Sequence, residues 1–565
     1  MKNLLIYAYQ SSAEIIEEHV FATLQAMQKN KFSIYFVTNY QLDKKQKELL
    51  VNYCDQIIIH QQTKSSYNLW FKTLKQLLDD PTICFEHLIL LNNHFFGPLF
   101  PIEIFWNKFI QSKADYYRSF SSESLSKDTE EIEAPFIILK YAVIAKLKSH
   151  LNTTITEYYA IKDNNLRFFH QLNQLLKENS EIKYNDSRKM TNNNLVNFID
   201  KKQCPFISIS EILNFPHPKY LLSLISQQTN YPINEITNYI DQNYPPNISM
   251  KISNKLIIVH EDEKIKVNHF KVAVHLHIYY VDLLSDLLKS LSQHQLDYFL
   301  TTDTNEKKLA TEKVFKQHHV AHQIKKIKVV PNHGRDVLPW LALSQELSQY
   351  DLVGHFHTKK TAWTDSWIGD SWWQNLLNDL CLTFPTVVNH FANDEKLGII
   401  IPDLPEYFHQ HYDQDPFDAD SHGRNRQICQ NLWTKINSSR KINFEDIIAP
   451  IMPYGMMFWY RPQALKLLFD LNLRADDFNT EPLPNDGTIA HALERLPVYL
   501  SWAAGYDYRF ISNSKQVSSK HLNQEYHLQK LKDKNKLILE RENSLSWKIG
   551  RLFTYLPRKI LKKEL

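Results

Sequence analysis

Two stretches of the chain repeat one rhythm of apolar and polar positions. The first opens with a short apolar run, NLLIYAY at 3–9, followed by polar residues. Ile16, Val20, Phe21, Leu24 and Met27 then fall at helical spacing and predict a helix over 13–29. FSIYFVTN at 32–39 predicts a second strand, a charged helix is expected around 42–53, and QIIIH at 56–60 predicts a third strand. From 271 the same order returns. KVAVHLHIY predicts a strand, 281–294 a leucine-spaced helix, 297–303 a strand, 306–319 a charged helix and 326–330 a strand.

The correspondence continues beyond the third strand. SSYNLWFKTLKQLLDD before FEHLILLNNHFFGPL parallels GRDVLPWLALSQELSQ before YDLVGHFHTKKT, each predicting a short turn, a helix of about three turns and then a strand with polar residues at its end. APFIILKYAVIAKL at 134–147 parallels MPYGMMFWYRPQALKLLF at 452–469. Alternating strands and helices with short joints imply mostly parallel sheets, because parallel strands need crossover connections. The expected fold class is therefore α/β, with two tandem Rossmann-like units. The expected bounds are 1–180 for the first unit, 181–268 for a helical connector, 269–515 for the second unit and 516–565 for a charged tail. Within the connector, HPKYLLSLISQQTNYPINEITNYI predicts a helical pair with a proline-marked turn.

Composition narrows the classes. With 565 residues, 43% apolar and 13% aromatic, the chain can bury sizeable cores, and its length suits roughly two to four domains. A net charge of +3 is too balanced for a dedicated nucleic-acid binder. Five cysteines lie far apart without a CxxC pair, which points to a reducing cytoplasm rather than a disulfide frame or zinc knuckle. MKNLLIYAYQSSAE reads as a first strand and not as a signal peptide. No apolar run approaches the length of a membrane span.

Ligands of open α/β sheets sit at the carboxyl ends of the strands. In the second unit those ends carry His275 and His277, Thr301 to Asp303, Asn332 to Asp336, and His355 to Lys360. The first unit offers Tyr7 to Gln10, Thr38–Asn39, Ser65 to Asn68 and Asn92 to His94, a set poorer in charge. That asymmetry suggests one working and one supporting unit. In NHGRD (332–336), Gly334 suits a positive φ, Arg335 can fork onto a phosphate, and Asp336 can accept from a sugar or base. A plain helix cap explains the same residues. In HFHTKK, alternation puts His355, His357 and Lys359 on one face and Thr358 and Lys360 on the other. HxH can bind a metal, but no acidic residue adjoins it, and the lysines with Arg335 could neutralise a diphosphate without one. Asp486 and Glu481, in the loop EPLPNDG, are the best candidates for a general base. Tyr454 and Trp459, in MPYGMMFWYRP, could form an acceptor or sugar platform, or simply aromatic core.

Taken together, NHGRDVLPWL, YDLVGHFHTKK, PYGMMFWYRPQAL and EPLPNDGTIAHALER resemble the rhamnan synthesis protein F family of bacterial glycosyltransferases. The pattern LILLNNHFFGPLFP fits that family too, and the resemblance runs from about 3 to 510. It implies GT-A-like units and transfer of a rhamnosyl or related deoxy-sugar unit from a nucleotide sugar, such as dTDP-rhamnose, to a growing cell-surface polysaccharide. In that fold a DxD-type strand end grips a metal and the diphosphate. Here HxHTKK stands in its place, so a divalent metal is possible but not favoured. The resemblance, with spacing, makes Asp486 the base of an inverting reaction and Glu481 its fallback. Arg335, Lys359 and Lys360 would meet the phosphates, and Asp303 and Asp336 the nucleotide or sugar. A non-catalytic glycan-binding or scaffold member is the alternative.

The tail SLSWKIGRLFTYLPRKILKKEL mixes apolar residues such as Trp547, Leu552 and Phe553 with six lysines and arginines. That is the pattern of an interfacial helix on an anionic leaflet, at the inner face of the cell membrane, near a lipid-linked acceptor. Packing on the body of the protein is the other reading.

Overall fold

The computed structural model describes residues 2–10, 16–61, 66–80, 84–119, 136–144, 184–186, 199, 204–259, 264–265, 270–358, 360, 366–404, 417–418, 422–436, 438–480, 482–514, 536 and 544. Lys359, Glu481 and nearly all of the 516–565 tail lie outside this set, as does most of the 150–200 region. The chain divides into two compact units, Met1–Asp241 with Lys251–Ser253, and Gln242–Met250 with Asn254–Leu565.

The first unit holds a sheet of β1 (Lys2–Tyr9), β2 (Phe32–Thr38), β3 (Gln56–Ile59), β4 (Phe85–Asn92), β6 (Tyr116–Arg118), β7 (Ile137–Lys140) and β8 (Tyr184–Asp186). Its order is β3-β2-β1-β4-β7-β6-β8. A separate two-stranded ladder joins β5 (Phe95–Phe96) to β9 (Ile207–Ser208). The expected helical pair follows as Pro218–Gln228 and Ile233–Asn243.

The second unit holds β10 (Leu256–Val259), β11 (Val272–His277), β12 (Asp297–Thr302), β13 (Ile324–Val329), β14 (Leu352–His357), β15 (Leu397–Pro402), β16 (Phe458–Tyr460) and β17 (Asp507–Asn513). Their order is β10-β17-β15-β16-β14-β11-β12-β13. Read from β13 inward, this is the first sheet over again with β10 added at the edge. The strand senses agree as well. The pairs β1/β2, β2/β3 and β1/β4 are parallel, as are β11/β12, β12/β13 and β11/β14. Antiparallel β7 and β16 then sit beside β4 and β14. Both units are thus mixed α/β with mostly parallel sheets.

Apolar runs on both strand faces explain why helices cover both sides of the second sheet. One core gathers Trp340, Val353, Phe458 and Tyr460. The other gathers Leu276, Leu300, Phe356 and Trp459. Gly354 pairs with Trp459 across the ladder, and a Cβ there would lie 2.8 Å from the indole, so the aromatic ring takes the space a side chain would fill. One sequence expectation changes. The three-turn helix after NHGRD is two short helices, Val337–Leu341 and Ser344–Leu347. They break at Leu343 (φ −114°, ψ 7°), whose side chain is wholly buried in the core. Tertiary packing outweighs helix propensity here.

Candidate functional site

The strand order reverses between β11 and β14, and the crevice outside their carboxyl ends is the switch point where open α/β sheets hold ligands. The turn Asn332–Asp336 reaches this edge from β13. Gly334 has φ 65°, and a Cβ there would meet Leu338 Cβ at 2.6 Å and Phe478 at 2.9 Å. Arg335 also sits in the left-handed region, at φ 52°, which costs a non-glycine residue about 1–2 kcal/mol. The turn therefore needs an anchor, and Asp336 supplies it.

Asp336 is buried, and His355 Nε2 lies 3.3 Å from its Oδ2. A column of polar groups continues from there. His355 Nδ1 is 2.9 Å from His275 Nδ1, His275 Nε2 is 3.2 Å from Thr301 Oγ1, and His277 Nδ1 is 3.0 Å from the same hydroxyl. An ionised carboxylate only accepts, so His355 donates through Nε2–H and accepts at Nδ1. His275 must then donate through Nδ1–H and accept from the Thr301 hydroxyl, which accepts from His277 Nδ1–H. One anion sets four successive bonds. Burial pushes His275 and His355 down from the ordinary histidine range and His277 down to about 4, so the column is neutral near pH 7. Burial pushes the Asp336 carboxyl up, but electrostatic interaction with the neighbouring His357 and the bond from His355 outweigh it and hold the group well below the usual carboxylate range.

His355 is wholly enclosed, stacked on Trp340 at 4.6 Å and on His275 at 5.1 Å, with both ring nitrogens engaged. Its place is behind the site, holding Asp336. His357 Nε2–H donates to the Gly455 carbonyl at 2.7 Å. The HxH strand end thus does not fit a divalent metal. Among the described residues no group of three or more His, Cys, Asp or Glu could hold an ion.

The second part of the edge comes from the loop and helix after residue 482. Thr488 caps the helix Ile489–Glu494. Arg335 Nη1 donates to His491 Nε2 at 3.0 Å, so the two motifs NHGRD and NDGTIAHALER meet through a histidine that spacing had not singled out. His491 Nδ1 lies 2.8 Å from Thr488 Oγ1 and 3.4 Å from the Thr488 backbone nitrogen; with Nε2 accepting from Arg335, the neutral ring carries its proton on Nδ1 and gives it to the nearer hydroxyl. Burial, and after it the Arg335 charge, push His491 down to about 4. Asp486 is buried. Its Oδ1 accepts from Asn425 at 2.7 Å and from Arg495 at 3.4 Å, while Oδ2 has no hydrogen-bond partner among the described residues. Arg495 also donates to the carbonyls of Phe417 and His491, and so ties Asp486 to the helix.

The remaining candidates are more scattered. Lys360 is exposed and lies 2.5 Å from Asp282. Asp303 is 2.8 Å from Lys307, whose ammonium sits 3.7 Å over the Tyr279 ring. Asn332 is exposed. Tyr454 is half-buried beside the core that holds Trp459. Trp459 is core: it is fully buried and donates to the Leu380 carbonyl at 2.9 Å.

The uncharacterized protein WxcX of Xanthomonas campestris pv. campestris (strain B100) is 29% identical over 230 residues, 39% of this chain and 30% of that protein. The chain thus spans about a third of the curated relatives it matches. The glycosyltransferase GlyE of Streptococcus pneumoniae TIGR4 is similar at 14% identity and a TM-score of 0.23, covering 64% of this chain and 86% of that one. The mannosyltransferase PcManGT of Pyrobaculum calidifontis, solved with GDP-Man and Mn2+, is similar at 12% identity and a TM-score of 0.23, covering 44% and 56%. The family described as rhamnan synthesis protein F matches residues 34–506, more than half of the chain, and the chain belongs to it.

Proposed function

We propose that the second unit is a glycosyltransferase of polysaccharide synthesis, moving a rhamnosyl or related deoxy-sugar unit from a nucleotide sugar, with dTDP-rhamnose as the first donor to test. Arg335 carries this reading: an exposed cation on a strained turn at the strand ends, linked through His491 to the helix that follows Asp486. The acceptor hydroxyl oxygen attacks the anomeric carbon as the bond from that carbon to the diphosphate breaks, with inversion. Asp486 takes the hydroxyl proton at Oδ2, the oxygen without a partner among the described residues. Arg335, Lys359 and Lys360 take up the charge on the departing nucleoside diphosphate. Asn332, Gly334 and Asp303 line the nucleotide side, and Tyr454 the acceptor side. Glu481 is the alternative base. A growing, lipid-linked glycan is the acceptor, with the basic tail on the anionic inner leaflet. No helix among the described residues is long and apolar enough to cross a membrane.

The test is calorimetric titration of the full chain with dTDP-rhamnose, UDP-sugars and GDP-sugars, with EDTA and with added Mn2+. Arg335→Ala should weaken the best donor about 10- to 100-fold, the loss of a charge-assisted bond. No binding of any nucleotide sugar in either condition would sink the transferase reading and favour a glycan-binding scaffold.

A further inference from the structure

We propose that His491 is the resting partner of Arg335, and that nucleotide-sugar binding puts a proton on it. The diphosphate draws the guanidinium away from Nε2, and the vacated nitrogen takes a proton from solvent. This rests on the nucleotide-sugar reading above.

Hydrogen-bond inventory carries the argument. Arg335 has only donors, so the 3.0 Å contact requires an unprotonated Nε2. In a neutral ring the one proton then sits on Nδ1 and goes to the Thr488 hydroxyl at 2.8 Å, the shorter of its two contacts, and the Thr488 backbone N–H 3.4 Å away finds no acceptor there. A second proton on the ring and the Arg335 bond therefore exclude one another. In the resting state the guanidinium has a neutral imidazole where a carboxylate would bind it far more firmly. Such a contact keeps a mobile cation aimed while leaving it cheap to release.

The charges around the ring favour the switch once Arg335 turns. Arg335 faces His491 from the 332–336 turn, Asp486 from the preceding loop, and Glu494 and Arg495 from its own helix. Arg495 is committed to Asp486, Phe417 and the His491 carbonyl. On the helix packed alongside, Arg426 is paired with Asp418 at 2.5 Å. Releasing Arg335 removes the cation in contact with Nε2, and leaves Glu494, Asp486 and the incoming diphosphate to work against burial, the largest cause of the depression, and the Arg495 charge. Each of those anions favours the imidazolium, which then adds a donor on the phosphate side. His491 acts here as a positioning residue.

Nucleotide sugars suit the test because their diphosphate is doubly esterified and exchanges no proton near pH 6. Titrations at pH 6 in two buffers of different ionisation heat should show proton uptake by the wild-type chain. Affinity should fall as pH rises from 5.5 to 7.5, by up to about tenfold per pH unit where a full proton is taken up. His491→Gln keeps an acceptor for Arg335 but cannot take the proton, so it should bind with equal heats in both buffers. Wild-type binding with buffer-independent heat and flat pH dependence overturns the proposal while leaving the nucleotide-sugar reading intact. Absence of any binding removes that reading, and this inference with it.

Discussion

Behind the strand ends the two units differ at matched positions. Setting Leu4 against Val272 and Leu88 against Leu352 reproduces the register of both central pairs and of the neighbouring strand. Tyr7 then matches His275, Leu91 matches His355, Tyr9 matches His277 and Thr38 matches Thr301. Trp70 stands four residues after Ser66, as Trp340 stands four after Asp336. Where the second unit runs a histidine column to a buried carboxylate, the first has Leu91, a buried Tyr7 hydroxyl with no partner among the described residues, and Ser66 bonded to Gln10 at 3.0 Å. Tyr9 bonds Glu17 at 2.9 Å, and Asn93 clamps the Gln10 backbone. Both solutions satisfy most of a polar strand edge. Among the described residues of these matched positions, only the second unit spends a buried charge, which is costly unless it is paired and hydrogen-bonded. What it holds is the turn bearing Arg335.

The sharpest test of that difference is turnover. Asp486→Asn should lower kcat by about 10²- to 10⁴-fold, the range for a general base, with donor affinity little changed. Ser66→Ala, in the first unit, should leave kcat within about twofold. Equal losses from both would mean that the first unit is not merely supporting. Next comes His355→Leu, which installs the first unit's residue in the column. It strands Asp336 and the His275 Nδ1–H, and should cost about 2–4 kcal/mol in urea unfolding of the second unit. Leaving stability unchanged would show that the column is not an anchor.

Acid should separate the units more gently. His275, His277, His355 and His491 are all lowered in the second unit, and burial lowers His19 to about 4, with His60 and His87 also lowered, in the first. Each is neutral in both folded and unfolded chains well above pH 6.5. Below that, the unfolded chain takes the proton and the folded one does not, so stability falls from about 6.5 toward 4. The slope is about 1 kcal/mol per pH unit for each such histidine. With more of them wholly buried, the second unit should open first. Pulse proteolysis at pH 7.5, 6.5 and 5.5, with fragments identified by mass, checks this, and earlier cleavage in the first unit would reverse the comparison.

Much of this was legible in the chain because period and order survive divergence. The strand–helix rhythm announced both sheets, and the parallel of 134–147 with 452–469 anticipated the matched antiparallel strands β7 and β16. Side-chain roles were harder. His355 alternates onto the same face as His357, yet that face is core at His355 and strand end at His357, and alternation cannot tell the two apart. Trp459 invited a platform reading, but depth in the sheet is set by neighbours far along the chain. His491 hid in plain view within TIAHALER. Nothing local marks it, because its partner Arg335 lies 156 residues away.

The smallest effect tests how far the cationic set of the second unit extends. Lys360 and Asp282 form an exposed pair, with side chains about half and two-thirds accessible, and exposed pairs contribute roughly 0–1 kcal/mol. Lys360→Ala should therefore shift the unfolding midpoint hardly at all. Its effect on donor binding separates two roles. A lysine that merely pairs with Asp282 would leave affinity as it was. A phosphate ligand would cost about 3- to 10-fold, and the dependence on salt would weaken because one cation fewer meets the diphosphate. The contrast with Arg335 is chemical: a guanidinium fork fixes direction, whereas an ammonium supplies charge alone. A Lys360→Arg variant that restores affinity without exceeding wild type would show that charge, and not the fork, is what this position contributes.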